Sequence, residues 1–248
     1  MDHLVTLKAA FHWLVIDPVT YKKLVKAGVK KHKSKDKAKR ILRIIKHDDF
    51  WDKVENLRDL LKPFAIAMNV VQADNCHLNT VLLLLAYLNY IHTDPPLPQA
   101  ICSAVHASLE KQWKKVDQDV FILTLIFNPY IRRSLFKKRG PFQTFAGLWA
   151  IIHRVYIWFY NKEPDYEFRR EFGNYILGIR KWTSDLMSLD YHREDAKKRN
   201  TYVNIVQLWC KHQSNDPSDI TGANGMVDMA LRLSSMVPNS AATERVFS

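Results

Sequence analysis

Residues 47–88 read HDDFWDKVENLRDLLKPFAIAMNVVQADNCHLNTVLLLLAYL, and the spacing of their apolar positions decides the fold class. Trp51, Val54, Leu57, Leu61, Phe64, Met68 and Val71 recur at intervals of three and four, one stripe of an amphipathic helix about six turns long. Asp48 and Asp49 stand at its start, where carboxylates complement the helix dipole. Pro63 lies inside the pattern, has no N–H to donate and crowds the preceding turn, so the helix is expected to kink or split near Lys62. A second helix is predicted from Leu78 to His92, and its LLLLAYL leaves so little polar face that it is expected at the centre of a bundle. The prolines after Asp94 end it.

The same period continues downstream. Gln99–Val116 is predicted helical. Val120–Phe127 (VFILTLIF) suits either a buried strand or a helix, with its helical neighbours favouring the latter and Asn128-Pro129 closing it. Phe142, Phe145, Trp149, Ile152, Tyr156 and Phe159 form an aromatic stripe at helical spacing. A base-stacking platform needs exposed aromatics, whereas this segment is apolar almost all round and reads as packed core. Further helices are expected at 165–179, 199–212 and 226–236, with SNDPSDITGANG (214–225) as a polar loop. With 47% hydrophobic residues and only 7 glycines in 248, the chain can bury a sizeable core and is poorly suited to turn-rich β-sandwiches or Gly-looped nucleotide folds. The expected class is all-α, a helical bundle.

Charge is concentrated. The chain carries a net +12, and Lys22–Lys46 alone holds twelve basic residues against Asp36, a local +11 that leaves the rest near neutral. The candidate nucleic-acid-binding residues are Lys22, Lys23, Lys26, Lys30, Lys31, Lys33, Lys35, Lys37, Lys39, Arg40 and Arg43. Such a block attracts phosphate by counterion release without reading sequence, and serves equally as a nuclear-import address. A solvated helix face is the plain structural alternative. The three cysteines, without regular spacing, exclude a disulfide framework. Met1-Asp2-His3 opens no secretory signal, and the most apolar window, 144–160, carries His153 and Arg154 and is too short to span a bilayer, so a soluble protein with no membrane partner is expected.

Few residues suggest chemistry. Cys76-His77, Cys102/His106 and Cys210/His212 are the Cys/His neighbours, and none has the second pair that a zinc site requires, so no metal site is expected. Gly-rich phosphate loops, nucleophile elbows and H-E-x-x-H are absent from the sequence.

The tail is more specific. LRLSSMVPNSAATERVFS, Leu231–Ser248, resembles the signature of the hAT superfamily of DNA transposases (hobo and Activator type), in which a helix and a Pro turn lead into Glu-Arg-x-Phe-Ser. Residues 47–88 resemble that family's α-helical insertion domain, DVFILTLIFNPYIR (119–132) its Asn-Pro segment, and Val206–Trp209 the helix before its final module. The resemblance implies three parts: a basic helical or linker segment (1–46), the insertion domain (47–200) and the start of the dimerisation region (201–248), ending in a truncated piece of a ribonuclease-H-like core.

It also implies that Glu244 is the third carboxylate of an Asp-Asp-Glu triad that holds Mg2+ or Mn2+ in the parent family. The two aspartate motifs and the family's Cys-x-x-His have no match in this sequence, and one carboxylate cannot hold two hard cations, so the chain is expected to be neither an enzyme nor a carrier of a cofactor. The implied activities are self-association, or pairing with a related transposase chain, through Leu231, Leu233, Met236, Val246 and Phe247, and weak nonspecific DNA binding in the nucleus. A protein-interaction scaffold, a decayed element and an active transposase completed by a missing N-terminal part are the alternatives.

Overall fold

A computed structural model describes residues 2–27, 32–73, 76–93, 98–214, 216 and 219–238. Helix makes up 73% of the structure, and no strand occurs among the described residues. The chain divides into two compact units, residues 1–69 and 70–248. The first unit joins the basic segment to most of the long helix, and the last helix belongs to the same core as its predecessors.

The first unit contains α1 (Asp2–Thr6), α2 (Lys8–Ile16), α3 (Pro18–Ala27), α4 (His32–Lys46) and most of α5 (Asp48–Val71). The corner between α2 and α3 is chemically specified. Pro18 occupies the first helical position, and the Asp17 carboxylate accepts from the Thr20 backbone N–H at 2.8 Å and from the Thr20 hydroxyl. Val15, Val25 and Leu42 form a small core, with Tyr21 and Ile45 against it. Trp51 is fully buried among Phe11, His12 and Phe50, and its indole N–H donates to the Ile45 carbonyl at 2.8 Å. Helix α5 runs unbroken through Pro63, correcting the expected split. Pro63 is only half-buried, so the carbonyl that loses its partner can turn to water.

The second unit holds α6 (Leu78–Ile91), α7 (Gln99–Trp113), α8 (Gln118–Ile126), α9 (Phe145–Tyr160), α10 (Tyr166–Leu177), α11 (Leu189–Lys198), α12 (Ile205–Cys210) and α13 (Gly222–Ser235). Its centre is α8 rather than α6. Val120 and residues 122–127 are buried, whereas α6 buries only Leu78 and Leu88 and exposes Tyr87 and Tyr90. Asp117 caps α8 by accepting from the Val120 N–H at 3.3 Å, which settles helix over strand for VFILTLIF. At the other end the buried Ile126 and Phe127 carbonyls lie past the last helical hydrogen bonds. Aromatic donors satisfy them: the Tyr175 hydroxyl reaches the Ile126 carbonyl at 2.9 Å, and the Trp209 indole N–H reaches that of Phe127 at 2.8 Å.

The aromatic stripe of α9 is core, with Leu148, Ile151, Ile152, Val155 and Tyr156 buried, although Trp158 is exposed. Two helix boundaries differ from the sequence reading. The region 199–212 yields only the short α12, while α11 forms upstream from the polar LDYHREDAKK, which buries just Leu189 and Ala196 and so carries almost no apolar period. Helix α13 starts at Gly222 inside the expected loop, because Gly225 lets the turn close: a Cβ there would lie 2.3 Å from the Ile220 carbonyl oxygen.

Candidate nucleic-acid interface

Helix α4 (HKSKDKAKRILRIIK) is strongly two-faced. Leu42 is buried, with half-buried Ala38 and Ile45 on the same side. Lys39, Arg43 and Lys46, spaced i, i+4, i+7, follow one line along the flank of that side, with Arg40 further round, and all four are exposed. Lys37 is exposed too, as are Lys22, Lys23 and Lys26 on α3, which packs against α4. Among the described residues, none of Lys37, Lys39, Arg40, Arg43 and Lys46 lies within ion-pair distance of a carboxylate, whereas Lys8 pairs with Glu55 at 3.2 Å and Lys53 with Asp49 at 2.7 Å. The α4 cations are therefore available to an outside anion. Lys30 and Lys31 lie outside the described residues, as do the side chains of Lys33 and Lys35.

An apolar hollow of 280 Å³ opens beside α4, lined by Leu4, Phe11, Ile41, Ile44, Ile45, Phe50 and Trp51. It offers no polar group and hence no chemistry. What this surface can do is hold a polyanion by charge.

The other expected site residues are placed differently. Leu233 is fully buried, and Leu231 and Met236 pack partly against the same core. Helix α13 turns its apolar face toward α8, α10 and α12 of its own chain. Val246, Phe247 and Glu244 lie outside the described residues. Among the described residues no three His, Cys, Asp or Glu side chains converge to hold a metal, so they supply no two-metal centre and no hydrolytic step is derived from them. Cys76 and Cys102 are buried and Cys210 is exposed; burial pushes the Cys76 thiol up and the neighbouring His77 down. His106 approaches the Asn89 carbonyl at 3.3 Å.

The second unit carries a feature the sequence reading missed. Between the segment 133–145 and α10 lies a 390 Å³ cleft with Phe145, Ile176 and Leu177 as apolar floor and Tyr166 at the rim, and Arg133, Arg169 and Arg170 converge on it. Whole-chain averaging hid this: RRSLFKKR (132–139) has five basic residues and no acid, but acidic residues elsewhere cancel it. A count in a short window would have revealed this basic run, though not its meeting with Arg169.

Comparison of the chain with protein-family models, with curated proteins and with solved structures gave no match.

Proposed function

We propose that this chain is a hAT-transposase-derived helical module that holds DNA nonspecifically by its phosphates and acts in the nucleus without a catalytic centre of its own. The observation that carries this reading is the exposed cationic line Lys39–Arg43–Lys46 with Arg40, flanking the packed face of α4 and without a carboxylate partner among the described residues. Such a line lies parallel to a helix axis, where its charges can meet successive phosphates and release counterions.

The transposase origin rests on NSAATERVFS (239–248) and on the likeness of residues 47–88 to an insertion domain. On the same reading, Leu231–Ser248 is the first piece of a ribonuclease-H-like core and Glu244 its metal-binding carboxylate. Self-association belongs to this reading as well. Because Leu231, Leu233 and Met236 are engaged in the chain's own core, the pairing falls to Val246 and Phe247.

The test is fluorescence anisotropy of a labelled duplex with unrelated sequences as competitors. Binding at low salt that every duplex competes equally supports the reading. Absence of binding at low salt removes it.

A further inference from the structure

We propose that the cleft beside α10 is a docking site for an acidic, hydrophobic peptide segment of a partner protein. The inference concerns the second unit and stands independently of DNA binding by α4.

Three arginines face the cleft, and they are not equivalent. Arg170 is already engaged, 3.6 Å from both Glu167 and Glu171. Arg169 lies over the Trp149 ring at 5.0 Å and the Phe145 ring at 5.9 Å, and no carboxylate among the described residues pairs with it. Stacking fixes the plane of its guanidinium and leaves the N–H edges for an acceptor. Arg133 uses one N–H on the Gln143 carbonyl at 3.0 Å. Gln143 in turn donates to the Arg133 and Phe136 carbonyls, both at 2.8 Å, so this loop is pinned and Arg133 is held in place. Two cations are thus preorganised, unpaired and mounted on an apolar floor.

The surroundings extend the pattern. Leu177 on the floor and Tyr166 at the rim are 61% and 78% exposed, and Leu135 is 59% exposed in the segment that carries Arg133. Lys137, Lys138 and Arg139 follow in that segment, all exposed. Arg and Tyr around a hydrophobic centre is the composition of protein-binding hot spots.

The occupant follows from complementarity. The floor of Ile176, Leu177 and Phe145 takes leucine- or phenylalanine-like side chains, and Arg133 and Arg169 take carboxylates, which planar guanidinium groups bind in paired hydrogen bonds. A nucleic-acid strand fits less well. Arg169 occupies a face of both Phe145 and Trp149, which leaves the exposed Tyr166 as the one open ring in the lining for a base to stack on.

The experiment uses the full chain and a fluorescein-labelled synthetic peptide in which Asp and Glu alternate with Leu and Phe. Two further probes are the same peptide with Ser for every Leu and Phe, and a labelled single-stranded oligothymidylate. The expected result is saturable binding of the first peptide below about 100 µM, weakened about tenfold or more by R133E/R169E and by Y166A/L177A. Tyr166 and Leu177 are exposed, so the second pair tests the site even if charge reversal disturbs the Trp149 stack. Glutamine substitution of Lys39 and Arg40 should leave peptide binding unchanged. Absence of binding at about 1 mM, equal binding of the Ser peptide, or displacement of the first peptide by the oligonucleotide through Arg133 and Arg169 overturns the proposal.

Discussion

The Asp165 carboxylate caps two helices at once. One oxygen accepts from the Phe168 N–H of α10 at 2.8 Å, and the other accepts from the Gly222 N–H of α13 at 2.9 Å, across 57 positions of sequence. Helix N-termini leave N–H groups without partners and carry partial positive charge, so one anion placed between two of them serves both. Burial by itself would raise the Asp165 pKa; the backbone N–H groups of Gly222, Phe168 and Glu167 outweigh it and hold the group below the usual carboxylate value.

Asp165→Ala should therefore lower the unfolding free energy by roughly 2–3 kcal/mol, more than one lost cap usually costs. Asp165→Asn, which keeps an acceptor for one helix, should cost about half as much. Urea denaturation of the full chain followed by far-UV circular dichroism measures both, and equal behaviour of the wild type and the alanine variant would refute the double cap.

Trp209 tests how the end of α8 is sealed. Trp209→Phe keeps most of the ring but leaves the buried Phe127 carbonyl unpaired, an expected loss of about 1–3 kcal/mol. Trp209→Ala adds a cavity beside Tyr175 and Trp182, for an expected loss of roughly 3–5 kcal/mol. The same denaturation measurement separates them.

Gly178 ends α10 in the left-handed region, at φ 67°, and its missing side chain makes room for Arg132. A Cβ there would lie 2.3 Å from Arg132 Nη1, and Arg132 itself donates to the Trp182 carbonyl at 2.6 Å over the face of Tyr175. Gly178→Ala should destabilise the second unit by about 1–3 kcal/mol, through backbone strain and a displaced guanidinium. Thermal melts compare it with Gly173→Ala, whose Cβ meets Phe145 at an ordinary 3.4 Å and should be nearly silent.

Acidification should weaken the second unit as its half-buried histidines are driven to take up protons. Burial, then Lys181, His192 and Lys211, push the His212 pKa below its ordinary 6.5; burial and Lys211 do the same to His192 against the opposing Asp195, and burial alone lowers His77. With folded-state values depressed, the unfolded chain takes up protons first as pH falls through 6.5. Stability is then full well above pH 6.5 and declines as pH falls through and below that value. The carboxylates with lowered values, Asp165 and Asp219, lose their contribution only near and below 3.8, which keeps the two windows apart. A melting temperature recorded across this range should fall in the wild type and flatten in a His192→Gln/His212→Gln variant.

Much of this architecture is legible in the sequence because helical period is a local property. The segment of α5 and the core role of the α9 aromatics follow from spacing within a few turns, and the helix of VFILTLIF from its helical neighbours. What escaped depends on partners far along the chain. LLLLAYL looks more central than VFILTLIF, yet the place at the centre goes to the segment whose terminal carbonyls find Tyr175 and Trp209. LDYHREDAKK forms a helix without an apolar stripe because Leu189 and Ala196 suffice to anchor it. Leu233 looks like an interface residue until α13 is seen packed along α10. The cationic face of α4 was visible as a charge run, whereas the α10 cleft joins arginines 36 positions apart, Arg133 and Arg169, that no short window contains.

The salt dependence of duplex binding tests the central claim most directly. If the α4 line meets phosphates, a plot of log affinity against log salt has a steep negative slope, and replacing Lys39, Arg40, Arg43 and Lys46 with glutamine reduces it by about one per contact removed. A slope unchanged by the four substitutions, with the helix content preserved, would contradict it.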